Sequence, residues 1–271
     1  MTKKKNQKII VLLCLNSSDK TLILNGIKIA SIFQKELCLV YNYSRREKKK
    51  QGLFKEQLYE YTLLIKKDLP KLKISTLLLS EKRANLSEKL SDDYEAILVI
   101  ASSLKFSIHS KSVTESAIPF LFVNDNENMV SEFKNLILPL DLRKESSESA
   151  LWSSYFGRFN NSEIVVVAAN DKGKDAKQQL AKNAFLSKKL FQKFKINYKI
   201  FLGTKSSFGN TFEALDLALS SKSDLLVILG SSTITPLDLL IGLPERKIIK
   251  KAGDLPILII NPRRDNYILC D

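Results

Sequence analysis

The two halves of this chain repeat one succession of short apolar runs, and this repeat restricts the fold more than any other feature. Glu95–Ser103 aligns with Asp224–Ser232, and Ile118–Asn124 aligns with Leu255–Asn261. Short runs that are apolar throughout and rich in branched residues are typical of strands buried on both faces of a parallel sheet. Helical patterns between the runs supply the crossovers. The sequence therefore predicts an α/β fold that occurs twice.

The repeat predicts five strands and four helices in each half. In the first half the predicted strands are Ile9–Leu15, Leu37–Tyr41, Ile74–Leu79, Ala96–Ala101 and Ile118–Val123. In the second half they are Leu136–Leu140, Ile164–Ala169, Tyr198–Leu202, Leu225–Leu229 and Leu255–Ile260. The polar, turn-rich stretch Asn124–Ser131 is the predicted linker. It separates domain 1, residues 1–125, from domain 2, residues 132–271. Domain 1 has a shortened crossover between its fourth and fifth strands.

Helical spacing of apolar residues predicts which helix faces are buried. It places Leu53 and Leu64 on the inner face of the helix that Pro70 closes. It also places Leu219 on the inner face of the helix before the fourth strand of domain 2. Asn16–Asp19 are expected to supply capping side chains for the first helix of the chain.

The chain of 271 residues has a formal net charge of +14, and the distribution of that charge decides what it implies. Only Lys3–Lys5 and Arg45–Lys50 are dense in basic residues, and no aromatic residues alternate with them. A solvated lysine-rich surface is therefore favoured over a nucleic-acid site. No apolar run approaches the roughly 20 residues of a membrane span. Ile9–Leu15 ends in polar residues without a cleavage site, so it predicts a strand of a cytoplasmic protein.

The sequence offers no catalytic residues and no metal site. Cys14, Cys38 and Cys270 have no metal-ligand spacing and are expected to be buried thiols. His109 is the single histidine and is expected to be structural or exposed. A phosphate-binding lysine loop and a serine nucleophile elbow are both missing from the sequence. These observations disfavour nucleotide hydrolases of the lysine-loop class and serine hydrolases.

The second half resembles the universal stress protein family along its length. Leu136–Asp141 is similar to that family's first strand and the Asp that ends it, and Gly209–Leu215 to the start of its third helix. Ser223–Gly230 and Leu255–Asn261 are similar to its last two strands. The whole chain resembles a tandem member. The resemblance implies two Rossmann-like domains of the adenine nucleotide alpha hydrolase type. Each would hold a five-stranded parallel sheet of order 3-2-1-4-5, with helices on both faces. It also implies an intramolecular pseudo-dimer about the last strands, and it leaves a homo-oligomer open.

The resemblance also indicates where a nucleotide would bind. Nucleotide-binding members carry G-x2-G-x9-G-[S/T] after the fourth strand, and an Asp after the first strand contacts adenosine. Asp141 and Gly230 match this pattern, but Thr233 stands at the second glycine and Leu243 at the third, one residue after Gly242. The candidate cofactor-binding residues are Asp141, Gly230, Ser231, Ser232, Thr233 and Gly242.

A physical argument weighs against a triphosphate at this site. Thr235–Asp238 has the pattern of a helix start, with Thr235 at the N-cap, Pro236 at the first helical position and Asp238 at the third. A phosphate there would meet a carboxylate in place of free N–H groups. The hydroxyls of Ser231–Thr233 could hold a smaller anion, although turn and capping roles are favoured. In the first half Ala101 replaces the glycine and Asn16 the Asp, so no nucleotide is expected there.

The sequence thus predicts a universal-stress-type protein that is not an enzyme and needs no cofactor. Its role would be regulatory or partner-binding in the stress response, with the protein partner unidentified. One alternative is an ATP-binding protein or slow ATPase that uses domain 2. The other is a binder of nucleic acid or anionic surfaces that uses Lys3–Lys5 and Arg45–Lys50.

Overall fold

The computed structural model describes residues 6–125, 129–231 and 243–261, without the side chain of residue 115. These residues form two compact units that meet in sequence at Val130 and Ser131. Unit 1 lies before that point and unit 2 after it. The point falls inside the predicted linker.

In unit 1 the described residues alternate between strands and helices. The strands are β1 Lys8–Leu12, β2 Glu36–Asn42, β3 Ile74–Leu79, β4 Ala96–Ser102 and β5 Phe120–Val123. The helices are α1 Asp19–Phe33, α2 Gln51–Asp68, α3 Leu86–Tyr94 and α4 Phe106–Glu115. The strand order is β3-β2-β1-β4-β5, and the neighbouring strands pair in parallel.

All seven residues of β4 are buried. Because successive side chains point to opposite faces, both faces of the sheet are covered there.

Unit 2 has the same succession. Its strands are β6 Asn135–Leu140, β7 Glu163–Ala168, β8 Tyr198–Leu202, β9 Leu225–Leu229 and β10 Ile257–Ile260. Its helices are α5 Ser146–Asn160, α6 Lys174–Lys193, α7 Ser207–Ser220 and α8 Pro244–Ala252. The strand order is β8-β7-β6-β9-β10, again with parallel pairing. The predicted fold class and the predicted strand order within each half are confirmed.

Strand ends differ from the predictions where the chain has a local reason to turn. β1 ends at Leu12, because Leu15 adopts a left-handed backbone conformation with φ 56° and the chain bends before it. β5 begins at Phe120 and β10 at Ile257, each directly after a proline. Proline lacks the N–H that a ladder position needs, so it delays the start of both strands.

Some apolar side chains predicted to be buried are exposed, among them Leu53, Leu64 and Leu219. Leu53 and Leu64 are 60% and 64% exposed, and Leu219 is 39% exposed. On α2 the buried face is formed by Phe54, Leu58 and Ile65. The prediction was wrong at Leu53 and Leu64 because each adjoins a buried residue, and spacing alone does not decide which of two adjacent apolar residues faces the sheet.

Candidate functional site

The candidate site lies at the carboxyl ends of β6 and β9 in unit 2. The chain leaves β6 toward β7 on one side, whereas β9 pairs with β6 on the other side. Such a switch point in a parallel sheet is where ligands bind in α/β folds. Asp141 follows β6, and Gly230 and Ser231 follow β9. Of the other predicted site residues, Ser232, Thr233 and Gly242 lie outside the described residues, as does the predicted cap Thr235–Asp238.

Arg143 connects the two strand ends. The Asp141 carboxylate accepts hydrogen bonds from the Arg143 backbone N–H at 2.9 Å and from its Nε at 2.8 Å. Arg143 Nη2 lies 2.6 Å from the same carboxylate. Across the switch point, Arg143 Nη1 donates to the Gly230 carbonyl at 3.1 Å and lies 3.5 Å from the Leu229 carbonyl. The guanidinium therefore holds the Asp141 carboxylate and the end of β9 at once.

Two further side chains fix the loop that carries this ion pair. Asn183 Nδ2 of α6 donates to the carbonyls of Asp141 at 2.8 Å and Arg143 at 3.0 Å. The Ser146 hydroxyl lies 3.4 Å from the Asp141 carboxylate. The Asp141 side chain is only 11% exposed. Most of its acceptor capacity is therefore used within the protein.

Glu245 of α8 occupies the end of β9. The Ser231 backbone N–H donates a hydrogen bond to Glu245 Oε1. Glu245 is 5% exposed, and it lies on the buried face of α8 with Ile248, Ile249 and Ala252. It is the second residue of that helix, directly after Pro244. A carboxylate is favoured at this position because the N-terminal end of a helix carries partial positive charge.

Asn210 builds the same edge of the sheet from the other side. Its Nδ2 donates to the Leu140 carbonyl at 3.1 Å and to the Val167 carbonyl at 3.0 Å. These carbonyls belong to β6 and β7, so one fully buried amide ties two adjacent strand ends together. The loop that carries Asp141 starts from the strand end that Asn210 holds.

The corresponding edge of unit 1 is also filled by side chains of the chain itself. Asp19 is fully buried and accepts hydrogen bonds from the backbone N–H groups of Cys14 at 2.8 Å and Asn16 at 3.3 Å. Burial raises the pKa of Asp19, and these hydrogen bonds partly oppose the shift. At the end of β4, the Ser102 hydroxyl donates to the Asp125 carboxylate at 2.6 Å.

The predicted capping by Asn16–Asp19 takes a different form. Ser18 occupies the N-cap of α1 without a side-chain capping bond. Asn16 Oδ1 accepts from the Ser18 backbone N–H at 3.0 Å, and Asp19 closes the preceding loop. The physical reason is that Asp and Asn side chains bond nearby backbone groups as readily in turns as at a helix start.

Arg143, Glu245 and Asn210 were not predicted as site residues from the sequence. Two of them carry a signal that could have found them. Arg143 stands two residues after Asp141, the spacing at which an Asp side chain bonds the backbone ahead of it. Glu245 precedes Ile248, Ile249 and Ala252 at helical spacing, which puts a carboxylate on an apolar stripe. Asn210 lies within Gly209–Leu215, the segment that resembles the start of the family's third helix, but the resemblance did not mark it as a site residue.

The cysteines and the basic runs that the structure describes lie apart from this edge of unit 2. Cys38 is a buried free thiol whose pKa burial raises to about 11, and Cys14 is a free thiol that is partly buried. Cys270 and Lys3–Lys5 lie outside the described residues. Within the described ranges, no group of three His, Cys, Asp or Glu residues could hold a metal ion.

Arg45–Lys50 forms a short 3-10 helix without buried residues. No described helix is both long and apolar enough to cross a bilayer.

Comparisons with known proteins agree with this fold. In sequence, no protein-family model and no curated protein matches the chain. A universal stress protein from Archaeoglobus fulgidus DSM 4304 superposes with a TM-score of 0.66, covering 96% of this chain and 100% of that chain at 10% identity. A functionally unknown protein from Pseudomonas aeruginosa PAO1 superposes with a TM-score of 0.60, covering 96% of this chain and 93% of that chain at 12% identity. The chain therefore has the universal stress protein fold, as the resemblance predicts.

Proposed function

We propose that this chain, which has the fold of the universal stress proteins, is a cytoplasmic tandem protein of that type that acts without catalysis. Its role is regulatory or partner-binding in the stress response, and its nucleotide site is lost. The observation that carries this proposal is the bridge from Arg143 to Asp141 and to the Gly230 carbonyl. The residue expected to contact adenosine is already engaged by an internal cation.

The energetics of this bridge oppose a nucleotide. Hydrogen bonds between charged groups contribute about 1.5–3 kcal/mol each. Adenosine could use Asp141 only after such bonds were broken. The displaced guanidinium would also release the Gly230 carbonyl and would need new partners. A ligand would have to offset these losses before it gained any affinity.

Unit 1 supports the same conclusion independently. Ala101 stands in β4 at the position that Gly230 takes after β9. The loop after β1 is closed on Asp19, so two of its backbone N–H groups already have a carboxylate partner. A ligand on the adenosine side of unit 1 would have to displace these internal hydrogen bonds.

The test is thermal unfolding with ATP and Mg²⁺, supported by isothermal titration calorimetry. Ligand at 100 times its Kd stabilises a protein by about 2.7 kcal/mol, which is a shift of several degrees in Tm. We expect no saturable shift and no binding heat for the natural chain.

The contrary outcome has its own control. A saturable shift that Asp141→Ala abolishes would establish the alternative, a nucleotide-binding protein or slow ATPase. Asp216→Ala is the matched variant, because Asp216 is an exposed acid in unit 2 that pairs with Lys251 on the helix surface. It should leave any nucleotide binding unchanged.

A further inference from the structure

We propose that Glu245 is an intramolecular ligand that occupies the anion position at the end of β9. Its carboxylate takes the hydrogen bond that a phosphate oxygen would otherwise accept. The inference rests on the proposed function, because it explains how unit 2 keeps this position closed without a nucleotide. It concerns the phosphate side of the site, whereas Arg143 acts on the adenosine side.

A backbone donor at the end of β9 points at the Glu245 carboxylate. Ser231, directly after Gly230, donates its backbone N–H to Glu245 Oε1. A methyl group added at Gly230 would lie 3.7 Å from Glu245 Oε1 and 2.9 Å from Ile259 Cγ2. The distance to Glu245 Oε1 is an ordinary van der Waals contact, and the close approach is to Ile259, so the absent side chain of Gly230 leaves room for Ile259 of β10. Backbone N–H groups that follow a strand in a glycine-containing loop are donors by which proteins hold phosphate groups, and the Ser231 N–H is such a donor.

The Glu245 carboxylate is buried and only partly hydrogen-bonded within the described part of the chain. Among the described residues, Glu245 Oε2 is buried and has no hydrogen-bond partner. Leaving a buried polar oxygen without a partner costs free energy, so packing alone gives no reason for an acid at this position. A ligand-like role gives one, since the carboxylate satisfies the Ser231 N–H and adds negative charge at the start of α8.

A phosphate group and the Glu245 carboxylate would compete for the same donor, the Ser231 backbone N–H. An incoming phosphate group would have to displace Glu245 from the Ser231 N–H. Until it did, two negative charges would share a buried position, and such repulsion is strong where water does not screen it. Leu243, at the N-cap of α8, has no side-chain oxygen to take over the role of the carboxylate. The position should therefore bind an anion only when Glu245 is removed or neutralised.

The experiment is an NMR titration of the full chain with inorganic phosphate, which follows the backbone amide of Ser231. Glu245→Ala removes both the acceptor and the charge. We expect this variant to bind phosphate at least tenfold more tightly than the natural chain, with a saturable shift of the Ser231 resonance. Glu163→Ala is the matched control. It changes the net charge equally, at the first residue of β7, where the acid pairs with exposed Lys199. It should not increase phosphate binding.

A second variant and a second measurement test the inference even if Glu245→Ala does not fold. Glu245→Gln keeps the size and one acceptor oxygen but removes the charge, so phosphate binding should again strengthen, though less. Hydrogen exchange of the natural chain tests the contact itself, and the Ser231 amide should exchange at least tenfold more slowly than in an unstructured peptide.

Each outcome decides a separate point. Unchanged phosphate affinity in both Glu245 variants, or free exchange of Ser231 in the natural chain, overturns the inference and leaves the proposed function standing. Phosphate binding by the natural chain as tight as in Glu245→Ala overturns the inference as well. ATP binding by the natural chain is the separate result that overturns the proposed function.

Discussion

Replacing Asn210 by Asp is expected to lower the free energy of unfolding of unit 2 by about 3–5 kcal/mol. Asn210 Nδ2 donates to the carbonyls of Leu140 and Val167 in a fully buried position. An ionised carboxylate cannot donate a hydrogen bond, so both carbonyls would lose their donor. They would face the negative charge of the Asp side chain, which is similar in size to the Asn side chain. Urea unfolding followed by the fluorescence of Trp152 measures the loss, since this single tryptophan is buried in unit 2.

The Asn210 prediction has an internal check. At low pH the introduced acid becomes protonated and regains one donor, so the deficit relative to the natural chain should shrink. Asn197→Asp is the matched control, because the side chain of Asn197 is exposed. It should stay within about 0.5 kcal/mol of the natural chain. Equal stability of Asn210→Asp and the natural chain at neutral pH would contradict the bridge between β6 and β7.

His109 is expected to make unit 1 less stable as the pH falls from 6.5 to 4. Its Nδ1 is buried without a hydrogen-bond partner among the described residues. Burial, together with the positive charges of Arg83 and Lys105, lowers the pKa of His109 to about 4. Between this pKa and the ordinary value of about 6.5, the unfolded chain binds a proton that the folded chain does not. Stability therefore rises with pH across this window, by up to about 3 kcal/mol in total.

The His109 prediction is measured as a difference between two proteins. His109→Gln has no titration in this window, so urea unfolding followed by circular dichroism should show its stability relative to the natural chain increase as the pH falls. Asp19 titrates in both proteins and cancels in the difference. Its raised pKa acts in the opposite direction, because the folded state then holds the proton more readily than the unfolded state. Parallel pH curves for the two proteins would refute the assignment.

The fold could be predicted from the sequence because its signals are local and repeated. β3, β8 and β9 have the predicted ends, since each is a compact run of suitable residues between polar turns. Errors arose where a proline or a left-handed residue shortened a strand, as at Leu15. They also arose where two adjacent apolar residues competed for the inner face of a helix, as with Leu53 and Phe54. Both effects depend on how the chain packs, which spacing does not specify.

The candidate site could be predicted only in part. Asp141 and Gly230 follow from the resemblance to the family, and the structure brings them to one edge of the sheet. The resemblance indicates which residues contact a ligand in relatives, but it does not indicate which side chains replace that ligand here. Arg143 and Glu245 are side chains that take the place of the ligand. Their contacts cross from β6 to β9 and from α8 to β9, so they become visible only when the chain is folded.

Asp19 and Glu245 have a consequence for how the protein responds to its surroundings. A small molecule that bridges a loop stabilises it in proportion to the logarithm of its concentration, so the loop loosens when the solution is depleted. A carboxylate on the same chain is present at a constant local concentration and is never diluted away. The loop after β1 and Ser231 at the end of β9 are therefore held by contacts that do not vary with the supply of metabolites.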